Sequence, residues 1–173
     1  MAPSEQLSSR QQDVLAVARE LLTQEGLEAL TLGRVAQALR IKPPSLYKHF
    51  ASKRHLEAAL IAEGLESFAE ALEAVGPALA DVAVAYRRYA LDHPQLYRLM
   101  TERPLPRDLL PDGLEARAAA PVLGAVGDPD LARAAWAYAH GMVQLELAGR
   151  FPPGADLDPA WTKAVAAFTA AAQ

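Results

Sequence analysis

Lys42–Phe50, KPPSLYKHF, joins two prolines and a serine to two lysines, a histidine and two aromatics. A core helix would not carry that much charge, and a surface loop would not carry that much apolar area. Prolines are tolerated in a first helical turn, where their missing N–H groups have no intrahelical partner anyway. Pro43 and Pro44 therefore mark a start. The spacing predicts a short helix over 43–50 with Leu46 and Phe50 on its inner side. Ser45, Tyr47, Lys48 and His49 are then left pointing outward.

Two amphipathic segments precede it. SSRQQDVLAVARELLTQEG sets Ser9 and Gln12 at capping-box spacing, carries Val14, Val17, Ala18, Leu21 and Leu22 on one face, and stops at Gly26. Thr31 is a natural N-cap for TLGRVAQALR, in which Leu32, Val35, Ala36 and Leu39 share a face. Downstream, a long helix is predicted from Ser52, its N-cap, to Ala74, with Leu56, Leu60, Gly64, Phe68 and Leu72 in a stripe. Further helices fit 77–92, 94–101, 112–124, 129–148 and 158–172, each bounded by Pro, Gly or Asp-Pro. No stretch alternates apolar and polar residues for long enough to be a strand. The expected fold class is all-α.

Composition narrows the function. Apolar residues make up 51% of the 173, enough for a real core. The absence of cysteine excludes a disulfide framework, thiolate catalysis and Cys-based zinc sites, and fits a reducing cytoplasm. MAPSEQLSSRQQ is too polar for a signal peptide, and no run of about 18 apolar residues exists to span a membrane. A soluble, cytoplasmic protein with no membrane partner is expected. The net charge of −4 argues against a nucleic-acid partner, but its distribution argues for one. Between Thr31 and Arg54 lie Arg34, Arg40, Lys42, Lys48, Lys53 and Arg54, with no Asp or Glu. Local field governs contact with a polyanion.

Three short helices, a tight turn between the second and third, and a cationic run on them alone make helix-turn-helix anatomy. In such units the second helix of the pair enters the major groove while the one before it crosses the backbone. Residues 1–54 are read as this DNA-binding domain and 55–173 as a helical regulatory and dimerisation domain. The candidate contacts to double-stranded DNA are Thr31, Arg34, Lys42, Pro43, Pro44, Ser45, Tyr47, Lys48, His49 and Lys53. Lysine and serine suit phosphates or base edges, and a tyrosine hydroxyl is a frequent phosphate donor. The helix starts at Thr31 and at Ser52–Lys53 can each offer backbone N–H groups to a phosphate.

The stretch LTLGRVAQALRIKPPSLYKHFASKRHL, residues 30–56, resembles the DNA-binding signature of the TetR family of bacterial repressors. The matching positions are Thr31 opening the second helix, the pair Val35-Ala36, the apolar turn residue Ile41, Leu46-Tyr47-x-His49-Phe50, and Lys53 with Leu56. In one departure, Arg40 stands where the family usually has glycine. If that backbone needs a positive φ, arginine there costs about 1 kcal/mol. The resemblance implies a homodimer built through helices 129–148 and 158–172, an inverted-repeat operator, and an inducer pocket in the C-terminal core. It also implies that ligand binding moves the long fourth helix and spreads two reading heads. The small residues of 129–148, among them Ala132, Ala135, Ala139 and Gly141, suit close packing, within one chain or between two.

Trp136-x-x-x-His140-Gly141 resembles a motif in one group of TetR-type C-terminal domains. One reading is a core tryptophan near a hydrogen-bonded histidine. The other is a polar handle in an apolar pocket for a small-molecule inducer, co-lined by Phe68, Leu72, Tyr86, Tyr89, Tyr97 and Met100. Catalysis finds no support: His49, His55, His93 and His140 are isolated, with no metal spacing, glycine-rich phosphate loop or Gly-x-Ser-x-Gly. No enzyme, metal or cofactor is expected. Two alternatives stay open, a helical adaptor without DNA binding and an activator in place of a repressor.

Overall fold

Every regular element among residues 7–173, the residues that the computed structural model describes, is helical. The helices are α1 (Ser9–Glu25), α2 (Leu32–Ala38), α3 (Pro43–Leu46), α4 (Lys53–Glu73), α5 (Leu79–Asp92), α6 (Pro94–Thr101), α7 (Leu114–Val126), α8 (Pro129–Leu147) and α9 (Asp158–Ala171). Single 3-10 turns at Leu27–Ala29 and Arg107–Leu109 complete them.

Local signals explain most boundaries. The capping box of α1 uses Ser8 and Gln11, one residue earlier than the expected Ser9 and Gln12: Ser8 Oγ accepts from Gln11 N–H at 3.3 Å, and Gln11 Oε1 accepts from Ser8 N–H at 2.9 Å. Paired serines and paired glutamines make both registers available. The earlier one adds a helical bond from Gln12 N–H to the Ser8 carbonyl at 3.0 Å. Gly26 ends the helix at φ +81°, its N–H on the Leu22 carbonyl. The third helix stops at Leu46 rather than running to Phe50, and Tyr47–His49 form a turn. His49 and Phe50 N–H groups still bond the Leu46 carbonyl at 2.9 and 3.0 Å. Leu46 and Phe50 are buried as expected. α7 begins two residues later than predicted, after the turn at Gly113, and encloses Pro121.

The chain divides into two compact units. Residues up to Leu65 with His93–Leu114 form the first, and Glu66–Asp92 with Glu115–Gln173 form the second. By packing, then, the start of α4 and all of α6 join the helix-turn-helix, so the compact unit extends past the expected cut after residue 54. In the first unit Gly64 lets α4 approach α6: a Cβ there would lie 2.7 Å from Met100 Sδ. In the second unit Phe68 meets Tyr86 and Tyr89 edge-on, with centroids 5.2 and 5.1 Å apart. Burial pushes the Tyr89 hydroxyl above its ordinary pKa, and its 2.7 Å bond with Ser67 Oγ works against that shift.

Arg87 ties α5 to α8 and α9. Its Nε donates to Glu146 Oε2 at 3.0 Å, and its Nη1 donates to Asp158 Oδ1 at 2.6 Å. Its guanidinium carbon lies 5.6 Å from the Trp161 ring centroid. Trp161 Nε1 donates in turn to Glu146 Oε1 at 3.1 Å. Burial works to lower the Arg87 pKa, but the bonds it donates to Glu146 and Asp158 raise it overall, so the group stays charged.

Candidate nucleic-acid interface

Thr31 caps α2, its Oγ1 accepting from Arg34 N–H at 3.2 Å. At the other end of α2, Arg40 N–H bonds the Gln37 carbonyl and Ile41 N–H reaches back to the Ala36 carbonyl, both at 3.0 Å. This pair of bonds is a Schellman motif, which requires a left-handed residue between them. Arg40 takes that conformation at φ +54°, alone among the described non-glycine residues. An L side chain there costs about 1–2 kcal/mol.

Lys42 is extended, as a residue before proline must be, and Pro43 and Pro44 open α3. One helical turn would not persist alone. Leu46 and Phe50 anchor it to the core, and Gln11 Nε2 of α1 donates to the His49 carbonyl at 3.2 Å. Thr31, Arg34, Lys42, Pro43, Pro44, Ser45, Tyr47 and Lys48 are exposed, while His49 and Lys53 are half-buried. Tyr47 leaves 53% of its surface in water, unusual for an aromatic in a segment this well anchored.

The cations of the run fall into two sets. Arg34 is forked onto Glu25, both contacts 2.7 Å. Arg54 is forked onto Asp108, one contact 2.8 Å and the other shorter, and this bonding holds the Asp108 carboxyl below its ordinary pKa. Lys53 Nζ lies 3.5 Å from Glu57. Arg40, Lys42 and Lys48 form no ion pair among the described residues. Two of the expected contacts, Arg34 and Lys53, thus already hold carboxylates, and the expected set left out the uncommitted Arg40.

The expected pocket residues are dispersed. Phe68, Leu72, Tyr86 and Tyr89 are buried in the second unit, while Tyr97 and Met100 are buried in the first. Trp136 is 51% exposed, so it is not a core tryptophan. The buried stripe of α8 runs through Ala135, Ala139 and Val143, and Trp136 and His140 each sit one residue, about 100°, off it. Their rings do share a face, 6.0 Å apart. A cavity of about 30 Å³, room for one water, is bordered by Tyr86, Trp136, Trp161 and Phe168 but not by His140. A wider groove of about 540 Å³ between α5 and α9, lined by Val84, Arg87, Leu91 and Trp161 among others, takes in none of the expected pocket residues. Sequence periodicity gave no sign of it.

A capped helix, a Schellman turn and a one-turn helix with solvent-facing cations define a DNA-binding regulator of the helix-turn-helix class. Residues 14–60 match the family of bacterial regulatory proteins designated tetR, and residues 79–168 match the tetracyclin repressor-like C-terminal domain. The chain belongs to the TetR family of helix-turn-helix transcriptional regulators, which are typically ligand-responsive repressors.

It is 32% identical over 153 residues, 80% of its own length and 70% of the relative's, to an uncharacterised HTH-type transcriptional regulator of Mycobacterium tuberculosis. A protein of unknown function from Rhodococcus sp. RHA1 superposes with a TM-score of 0.73 at 25% identity, covering 99% of this chain and 100% of that one. A variant of TetR from Acinetobacter baumannii AYE in complex with minocycline superposes at 0.63 and 25% identity, covering 91% and 93%. No described helix is long and apolar enough to cross a membrane.

Proposed function

We propose that this chain is a cytoplasmic, ligand-responsive repressor that binds an inverted-repeat operator as a homodimer, with residues 1–54 as its reading head. The observation that carries the reading is the anchored one-turn helix α3, which leaves Lys42, Ser45, Tyr47 and Lys48 exposed in a run free of acidic residues. Ser45, Tyr47, Lys48 and His49, with Pro43 and Pro44, face the groove, and Thr31, Arg34 and Lys53 meet the flanking phosphates. For Arg34 and Lys53 this exchanges a carboxylate for a phosphate.

Residues 55–173 supply regulation and dimerisation. Trp136 and Leu145 leave 51% and 43% of their surfaces in water on α8, apolar area that a partner's α8 and α9 would cover. The Trp136-x-x-x-His140-Gly141 motif falls in the same helix. The minocycline held by the Acinetobacter relative supports a small-molecule inducer here, and the apolar lining beside Tyr86 and Trp136 suits apolar area on it. A one-water cavity must widen to admit it, which is a change of state of the kind a switch needs.

Selecting bound duplexes from a random DNA pool tests the reading. The expected product is an inverted repeat with half-sites about 34–36 Å apart or somewhat wider. One chain bound to an asymmetric site, or a monomer in sedimentation at micromolar concentration, would overturn it.

A further inference from the structure

We infer that Arg40, the turn residue between α2 and α3, is itself a DNA-phosphate contact; the inference rests on the DNA-binding reading above. Three observations converge on it. Its backbone sits at φ +54°, where glycine would rest without strain. The two bonds of the Schellman turn, at Gln37 and Ala36, pin it there, so the strain cannot relax without undoing the end of α2. Its exposed side chain holds no ion pair among the described residues, while Arg34 and Arg54 on either side of it are each forked onto a carboxylate.

Strained backbone persists where something else requires the residue. Packing does not require this one, because the side chain is in water. No acidic residue lies between Thr31 and Arg54 to claim the charge. No described residue pairs with it, which leaves it open to an anion from outside, and Arg40 lies two residues before Lys42 at the entry to the groove-facing helix. A guanidinium presents a planar fork that fits a phosphate, and Arg40 follows the end of α2, the helix that in such units crosses the DNA backbone. The arginine thus trades conformational ease for one more anchoring charge.

The test uses the full chain and a fluorescent duplex recovered from the random pool, with a scrambled duplex beside it. Arg40→Ala and Arg40→Gly should each weaken both duplexes by the same factor and shrink the slope of log affinity against log salt by about 0.9. Arg40→Lys should keep the slope. Arg40→Gly should melt no lower than the parent, which separates loss of contact from loss of fold. A parental slope in both Arg40→Ala and Arg40→Gly overturns the inference, as does a lysine variant that loses as much slope as the alanine one. So does weakening confined to the selected duplex, which would mean a base contact. A parent chain that binds neither duplex at low salt defeats the DNA-binding reading itself, an outcome distinct from all of these.

Discussion

Arg40 and Arg87 use the same side chain in opposite ways. Arg40 has a strained backbone and an uncommitted head. Arg87 has ordinary helical backbone and a head held by Glu146, Asp158 and the Trp161 face. In the second unit charge is consumed inside the fold, where it joins three helices. At Arg40, Lys42 and Lys48, beside α2 and α3, no ion pair among the described residues spends it, and an outside anion can use it. Stability and DNA affinity therefore belong to different cations, and substitutions should separate them.

The largest effect is expected at Arg87. Arg87→Met strips the charged partner from Glu146, whose side chain is only 9% exposed and keeps just the Trp161 bond, and should cost roughly 2–4 kcal/mol. The melting temperature should fall while the salt slope of DNA binding, measured where the variant is folded, stays parental. Arg87→Lys should recover only part of the loss, because an ammonium cannot fork between two carboxylates. A melting temperature that does not move would erase the contrast.

Lys48→Ala is the mirror image. It should shrink the salt slope by about 0.9 and leave stability within about 0.5 kcal/mol of the parent. Tyr47→Phe removes one hydroxyl and should weaken binding by about 1 kcal/mol if that hydroxyl donates to a phosphate. Titrating the duplex against each variant at several salt concentrations checks both.

The smallest effect is a pH dependence at the clamped cations. Arg54 holds Asp108, and Arg117 of α7 donates to both oxygens of Glu73 in α4 at 2.8 and 2.7 Å; these bonds hold both carboxyls below their ordinary pKa values. A depressed carboxylate contributes stability that is full above its unfolded pKa and is lost as pH falls through the folded one. Melting curves should therefore weaken slightly on acidification below the usual carboxylate range. Asp108→Asn and Glu73→Gln together should flatten that slope. The contribution is small because both pairs face solvent.

Where the fold is written in neighbouring residues, the sequence was sufficient. Thr31, Gly26 and the two prolines mark ends by local chemistry, and the stripe from Leu56 to Leu72 fixes the inner face of α4. Where two local solutions are equivalent it was not, as the doubled serines and glutamines at the start of α1 show. Long-range pairing was out of reach: Arg87 and Glu146 are 59 residues apart, and Arg54 and Asp108 are 54 apart. Arg34 looked like a free cation because nothing in its own helix reveals Glu25. Trp136 illustrates a different limit, since an aromatic one residue off an alanine stripe reads as core until the stripe is located.

The paired prolines at the start of α3 have a consequence for the unbound protein. A single turn of helix has almost no tendency to form by itself, and fixing each residue's backbone costs about 1–2 kcal/mol of entropy. Pro43 and Pro44 have already surrendered part of that freedom, their φ angles being fixed by the ring. Little disorder is then left to lose when DNA arrives, and the reading turn meets its target already shaped. Replacing either proline by alanine removes only the ring's own apolar contact and keeps every polar one, yet should lower affinity through a more unfavourable binding entropy of roughly 0.4–1 kcal/mol, visible in calorimetry.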